Sequence, residues 1–301
     1  MVQKIMFSLV IPLGETRGAN VLKSIEKLEY NKRKFEVIVE RGPNPSKNRN
    51  KGIKKSKGDF IIFLNGHSFL EKAYLKKTEK FFKKYSHADI VGGSQLSPKT
   101  ENLFEKFSEA VVTSNFAAFK VNKRYKIQKN VITDADETFL TSANLCVKKK
   151  VFEKISGFDE RLWPGEDPEF IFRAKKNNFK VFYNPEMIIF NKRRPTFSLF
   201  CKQFFNYGYT RPKKNKISKD FKLVFFIPLL FSLYFMFLPL ISLVNFLFIV
   251  PFIIYVGLSI LFGLIDSIRQ KIFLGIFVLP FLFLFLHLSY GIGMIAGYFN
   301  R

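Results

Sequence analysis

An α/β domain on a mostly parallel sheet with helices on both faces, followed by an all-α transmembrane segment of three helices, is the architecture this 301-residue sequence predicts. Three observations carry that expectation. Strand and helix signals alternate from Lys4 to Val91. Three apolar runs of membrane-crossing length close the chain. The charge is unevenly placed: Leu223–Arg301 holds three basic residues and one acidic residue, so +23 of the +25 net charge sits in the first 222 residues. A hydrophobic content of 48% excludes a disordered polyampholyte, and two cysteines exclude a disulfide-stapled scaffold.

Lys4–Pro12 reads as the first strand. Its apolar part, Ile5–Pro12, is too brief for a signal peptide and runs into polar sequence. Val21, Leu22, Ile25 and Leu28 recur at helical spacing. Phe35–Val39 is a second β-branched run, ended by Gly42 and Pro43. Ser46–Ser56 reads as a helix, Asp59–Leu64 as a third strand, Leu70–Tyr85 as a Lys-rich helix and Asp89–Val91 as a fourth short strand. This β-α-β-α-β order implies a parallel sheet covered on both faces. Ligands of such sheets bind at the carboxyl ends of the strands. The stretches to examine are therefore Pro12–Arg17, Glu40–Pro45 and Asn65–Ser68.

Leu223–Leu243 and Phe246–Ile265 are each about 20 residues without a charge, and Ile272–Tyr298 is a third apolar run. Backbone groups in lipid must pair internally, so all three are expected as helices. The link around Asn245 is short, which makes the first two a hairpin. Arg211–Lys222 and Asp266–Lys271 are basic. The positive-inside rule places both, and the N-terminal part, in the cytoplasm, and three crossings then put Arg301 outside. Segment 193–222 mixes Phe197, Phe200, Phe204, Phe205, Tyr207 and Tyr209 with Arg193, Arg194, Lys202 and Arg211, the composition of an interfacial amphipathic helix. The expected division is a cytoplasmic domain over 1–192, an interfacial segment over 193–222 and a membrane domain over 223–301.

Several function classes drop out. There is no G-x-G-x-x-G and no P-loop, which removes the main support for a dinucleotide oxidoreductase or a P-loop ATPase. No Cys/His set has zinc spacing, and no G-x-S-x-G accompanies the three histidines. Basic runs such as Lys54-Lys55 and Lys148-Lys149-Lys150 are scattered, with no nucleic-acid motif, so anionic lipid headgroups are the simpler partner. Gly293 and Gly297 have the G-x-x-x-G spacing of close helix contacts, within the chain or between chains of an oligomer.

Taken together, these segments resemble the inverting family 2 glycosyltransferases of the GT-A fold. The segments are Ser8-Leu9-Val10-Ile11-Pro12, Arg49-Asn50-Lys51-Gly52-Ile53 with Gly58–Leu64, Thr141–Val147, Gly157–Leu162 with Gly165-Glu166-Asp167-Pro168-Glu169, and Lys192-Arg193-Arg194-Pro195. Gln203, Asn206-Tyr207-Gly208 and His287–Gly293 resemble a membrane-anchored subgroup that includes succinoglycan glucosyltransferases. The resemblance implies transfer of a sugar from a nucleoside-diphosphate donor to a lipid-linked (polyprenyl) or glycan acceptor. It implies Asp167 as general base and Glu166 beside it, holding an acceptor hydroxyl or orienting the site. Donor contacts fall on Pro12, Glu15, Glu40 or Arg41, Arg49, Asn65, Gly66 and His67. Acceptor contacts fall on Asn144, Trp163 and Glu169.

The chain departs from the family pattern where the leaving diphosphate is offset. Asn65-Gly66-His67 replaces the acidic motif that ends the third strand, and Asn191 stands where a His is usual. A Mn²⁺ or Mg²⁺ site would then fall to His67 and Asn191, and imidazole suits Mg²⁺ poorly. Three readings stay open. His67 keeps a weaker metal site, Arg193 and Arg194 offset the phosphate charge themselves, or the chain is a catalytically impaired membrane scaffold of a polysaccharide pathway. A processive synthase is disfavoured, because three crossings offer little wall for a pore and no Q-x-x-R-W is present.

Overall fold

The computed structural model describes residues 4–16 and 18–300. Arg17, in the Pro12–Arg17 stretch singled out above, and Arg301, expected beyond a third crossing, lie outside the described residues. The chain divides into two compact units. The first runs up to Pro98 and resumes over Lys123–Lys192. The second comprises Lys99–Asn122 and the chain from Arg193 onward.

The first unit contains β1 (Phe7–Leu13), α1 (Val21–Glu26), β2 (Phe35–Arg41), α2 (Pro45–Lys55), β3 (Phe60–Leu64), β4 (Ser68–Leu70), α3 (Tyr74–Lys84) and β5 (Ile90–Leu96). In the second unit α4 (Leu103–Thr113) and α5 (Asn115–Ala118) follow. The chain then returns to the first with β6 (Asn144–Lys148), α6 (Lys149–Ile155), α7 (Glu166–Lys176) and β7 (Val181–Asn191). The seven strands form one sheet in the order β2-β1-β3-β6-β5-β7-β4. β1 is parallel to β2 and β3, and β5 is parallel to β7. β6 is antiparallel to both β3 and β5, and β4 is antiparallel to β7. Five strands therefore share one direction and two oppose it, so the sheet is mixed, with the parallel bias the sequence predicts.

The apolar run of β1 has a direct physical cause. Successive side chains point to opposite faces. Leu9 and Ile11 enter one buried cluster with α1 and α3, while Val10 enters another with α6 and α7. β3 divides in the same way, with Ile62 and Leu64 on one face and Ile61 and Phe63 on the other. A strand buried on both faces has no polar alternation to show. β1 also has β2 on one side and β3 on the other, so the strand order reverses there. Pro12, at the carboxyl end of β1, and Asn65, just past β3, lie at that switch point.

The second unit adds α8 (Phe197–Ser218), α9 (Ile227–Val244), α10 (Val250–Gln270) and α11 (Gly275–Phe299). Among the described residues, three stretches are long and apolar enough to cross a membrane: Leu223–Val244, Phe246–Gln270 and Gly275–Phe299. The second runs farther than Ile265, because helical Asp266 and Arg269 form an ion pair at 2.8 Å instead of opening into a loop. The glycine spacing of α11 resolves within the chain. A Cβ added at Gly293 or Gly297 would collide with the backbone carbonyl of Phe205 or Tyr209 on α8, and one added at Gly208 with that of Tyr290. Close backbone approach fixes the α8–α11 pair.

This seam predicts a contrast between two alanines. Gly208→Ala is expected to cost about 1–3 kcal/mol through overpacking. Gly257→Ala on α10, where nothing lies within 4 Å, is expected to be neutral or slightly stabilising. Thermal unfolding of the two variants in detergent measures the difference.

Candidate active site

The site is assembled by α2. Asn44 caps this helix by accepting from the Lys47 amide at 3.0 Å, and Pro45 opens its first turn. The helix then fixes the 157–165 loop. Ser46 Oγ donates to the Leu162 carbonyl at 2.7 Å, and Asn44 Nδ2 to that of Glu160 at 2.9 Å. Asn50 donates to the Phe158 carbonyl and accepts from its amide, both at 2.8 Å. Gly165 ends the loop at φ +120°, a left-handed conformation that suits glycine, and serves as N-cap of α7. Glu166, Asp167 and Glu169 occupy the first turn, where the helix dipole favours negative charge.

Arg49 and Glu166 meet at 2.8 Å, each side chain only 5% exposed. The Arg49 guanidinium also sits over the Phe158 ring, 5.4 Å from its centroid. The Glu166 carboxyl is pushed up to about 7, first by burial and then by the neighbouring Asp167, with Arg49 pulling the other way. Asp167 is half-buried, and its Oδ1 is a buried oxygen without a hydrogen-bond partner among the described residues. Trp163 is exposed in the loop just before.

At the facing strand ends, Arg41 donates to the Glu15 carbonyl at 3.1 Å and so closes over the turn after β1. Glu40 is buried and paired with Lys55 of α2 at 2.6 Å. Of the two residues competing for the nucleobase contact, Arg41 is the exposed one. Glu15 and His67 are exposed, Pro12 and Asn65 half-buried. Gly66 is buried where a Cβ would strike the Leu13 side chain.

Several expected contacts take a different role. Asn144 is wholly buried; its amide donates to the Met187 and Ser94 carbonyls at 2.8 and 3.1 Å and accepts from Tyr74 Oη at 2.6 Å. These bonds tie sheet strands together. Glu169 is buried and held by two Arg173 nitrogens, each at 2.8 Å, while Arg173 also donates to the Gly157 carbonyl. Arg193 and Arg194 belong to the second unit, where Arg193 pairs with Glu109 and Arg194 donates to Gln203 at 2.8 Å. His67 and Asn191 do fall next to each other, since Ser68 pairs with Asn191 across the β4–β7 ladder. The Asn191 oxygen, however, accepts from the Ser68 hydroxyl at 2.6 Å. Among the described residues no three His, Cys, Asp or Glu side chains converge as metal ligands. With the Asn191 oxygen taken by Ser68, this donor set does not fit a divalent cation. Asn50 was legible only as the neighbour of Arg49; its position on the same helix is the signal that could have marked it.

A family model, glycosyl transferase family group 2, matches residues 60–296. The chain belongs to this family. It is a glycosyltransferase, and the site above is its candidate catalytic centre. It is 26% identical over 256 residues to a Methanococcus voltae protein, covering 82% of this chain and 74% of that one. That protein is named dolichyl N-acetyl-α-D-glucosaminyl phosphate 3-β-D-2,3-diacetamido-2,3-dideoxy-β-D-glucuronosyltransferase. Among solved structures, S. aureus TarS 1-349 in complex with UDP aligns at TM-score 0.46 and 17% identity, over 68% of this chain and 64% of that one. The mannosyltransferase PcManGT of Pyrobaculum calidifontis, with GDP-Man and Mn²⁺, aligns at 0.47 and 10%, over 73% and 66%. The chain thus spans just under two thirds of either structure.

The Arg49–Glu166 pair predicts a signed pH dependence. The folded chain holds the Glu166 proton to higher pH than the unfolded chain, so stability falls as pH rises from about 4.5 to about 7. Glu166→Gln is expected to match the wild type near pH 5 and to become the more stable of the two near pH 8. Arg49→Met leaves a lone buried carboxylate and is expected to lose most above pH 7, towards the roughly 3–5 kcal/mol of a half-removed buried pair. Unfolding midpoints across that range check both signs.

Proposed function

We propose that the chain is a membrane-bound inverting glycosyltransferase that moves a sugar from a nucleoside-diphosphate donor to a lipid-linked acceptor, with Asp167 as general base. The observation that carries this reading is the unpartnered, buried Asp167 oxygen at the start of α7, inside the motif that resembles the family's acidic motif. A buried polar atom without a partner is costly unless a ligand completes it. An acceptor hydroxyl is such a ligand.

The chemistry is a single displacement. The acceptor oxygen bonds to the anomeric carbon as the bond to the donor's phosphate oxygen breaks. The nucleoside diphosphate leaves with the electron pair, and the hydroxyl proton passes to Asp167. Glu166, locked by Arg49, holds the helix terminus in place. The donor lies along the ends of β1, β2 and β3, between Pro12, Glu15, Arg41 and the Asn65–His67 turn. Trp163 offers the acceptor sugar an exposed aromatic face. The named substrate of the Methanococcus voltae relative, a dolichyl-linked sugar phosphate, supports a lipid-linked acceptor. The apolar helices supply the membrane such an acceptor requires, and the basic residues of Arg211–Lys222 favour a cytoplasmic catalytic unit.

Asp167→Asn keeps the shape and removes the base. It is expected to lower transfer about 10²–10⁴-fold without loss of folding, read as nucleoside diphosphate released from a panel of nucleotide sugars with polyprenyl-linked acceptors. The product's anomeric configuration, read by NMR, is expected to be inverted. A variant as active as the wild type, or a retained configuration, would overturn the mechanism.

A further inference from the structure

We infer that α11 does not cross the membrane: both its ends stay on the side of the catalytic unit, and it lies along an anionic lipid surface beside α8, leaving α9 and α10 as the crossing pair. The inference goes beyond the catalytic reading and needs no turnover to be tested.

The N-terminal end of α11 is tethered first. Just before it, Arg269 and Gln270 donate to Thr113: the Arg269 guanidinium to its carbonyl at 3.2 Å, and both side chains to its hydroxyl at 3.1 Å. Thr113 ends α4. The Lys99–Asn122 stretch that contains α4 runs directly into the catalytic unit at Pro98 and at Lys123. α4 has 11 residues, among them Glu105, Lys106 and Glu109, and is too short and too charged to carry Thr113 across a bilayer.

The C-terminal end is tethered to α8. Asn300, the C-cap of α11, donates its side-chain amide to the Tyr209 hydroxyl. The two helices run in the same direction. The rings of Phe197 and Phe285 are 4.9 Å apart, Phe205 lies under Gly293 and Tyr209 under Gly297. α8 itself begins five residues after the catalytic unit ends at Lys192.

This register decides between crossing and lying flat. Lys202 is exposed on α8, at the level of Ser289 and Tyr290, close to the middle of α11. A spanning α11 would hold that ammonium about 15 Å from either surface of the hydrocarbon core, beyond a lysine's reach. It would also draw Arg211, Lys213, Lys214, Lys216, Lys219 and Lys222 to the far side with Asn300, against the positive-inside rule. With α11 in the plane, none of these costs arises. Its burial agrees: 39% of its apolar window is inside the protein, against 6% and 11% for the other two. The lipid partner is read from what remains outside. Phe273, Phe277 and Phe281 are exposed at every fourth position at one end of α11, and Lys202, Lys213 and Lys216 are exposed along α8. An exposed apolar stripe on one helix and exposed lysines on the helix packed against it fit the headgroup boundary of an anionic leaflet.

The test is sidedness. In the full chain with Cys146→Ala and Cys201→Ala, Lys84→Cys, at an exposed position of α3 in the catalytic unit, and Phe299→Cys are introduced separately. Sealed vesicles of each orientation are then treated with a membrane-impermeant maleimide. Both positions are expected to label from the same face. Labelling of Phe299→Cys only from the face opposite Lys84→Cys would overturn the inference. Should a substitution spoil insertion, the wild-type sequence with a C-terminal epitope gives a second reading. Added protease is expected to remove the epitope in the vesicle orientation in which it cleaves the catalytic unit. An epitope cleaved only in the other orientation would overturn the inference equally. An inactive transferase would leave either result standing.

Discussion

The buried contact between Arg49 and Glu166 constrains the rest of the catalytic unit. Two side chains 2.8 Å apart, both almost without solvent, tolerate no slippage, since a Glu166 carboxylate buried there without Arg49 would be strongly disfavoured. The contact therefore fixes α2 against the first turn of α7. The neighbouring polar residues of α2 extend the same constraint: Asn44, Ser46 and Asn50 hold three backbone positions of the intervening loop. On the other side Arg173 binds Glu169 and the Gly157 carbonyl. Of the three carboxylates at this terminus two are committed to arginines. Asp167 is the one left with an oxygen to offer.

That distribution accounts for what was legible in the sequence. β1, β2, β3 and the helices between them could be read because each is a local pattern: a doubly buried strand is a continuous apolar run, and a covering helix repeats its apolar residues every three or four positions. The acidic segment around Asp167 could be singled out because its flanking motif is local too. The partners of β6 and β7 were not, since they are set by chain segments far apart in sequence. Asn144 shows the same difficulty at one residue. Its side chain satisfies groups on three distant segments, near Tyr74, Ser94 and Met187. A buried asparagine that braces a sheet and one that meets a sugar have the same local sequence. Glu169 and Arg193 were read as ligand contacts for the same reason, and their partners, Arg173 and Glu109, could be assigned only from packing.

Lys99–Asn122 is the clearest non-local case. It interrupts the catalytic unit in sequence yet packs with the helices that follow Arg193. Phe107 and Val111 enter the cluster formed by Phe200, Leu279, Leu282 and Phe283, and Phe116 stacks on Phe262. The chain thus passes between its two units three times, at 98–99, 122–123 and 192–193.

The apolar character of α11 then has a different origin from that of α9 and α10. Hydropathy records composition along one helix and does not distinguish a side chain facing lipid from one facing protein. The glycines make the distinction. Gly293 and Gly297 meet the backbone of α8, and Gly291 meets Pro228 and Ser232 of α9 on another side. Helix backbones approach this closely only where small residues let them pack. A helix wedged between two neighbours in this way must be apolar simply to be buried. Its remaining exposed phenylalanines form one stripe, where a lipid-surrounded span would be apolar all round. The same residues that make α11 read as a crossing are, for the most part, those that join it to α4, α8 and α9.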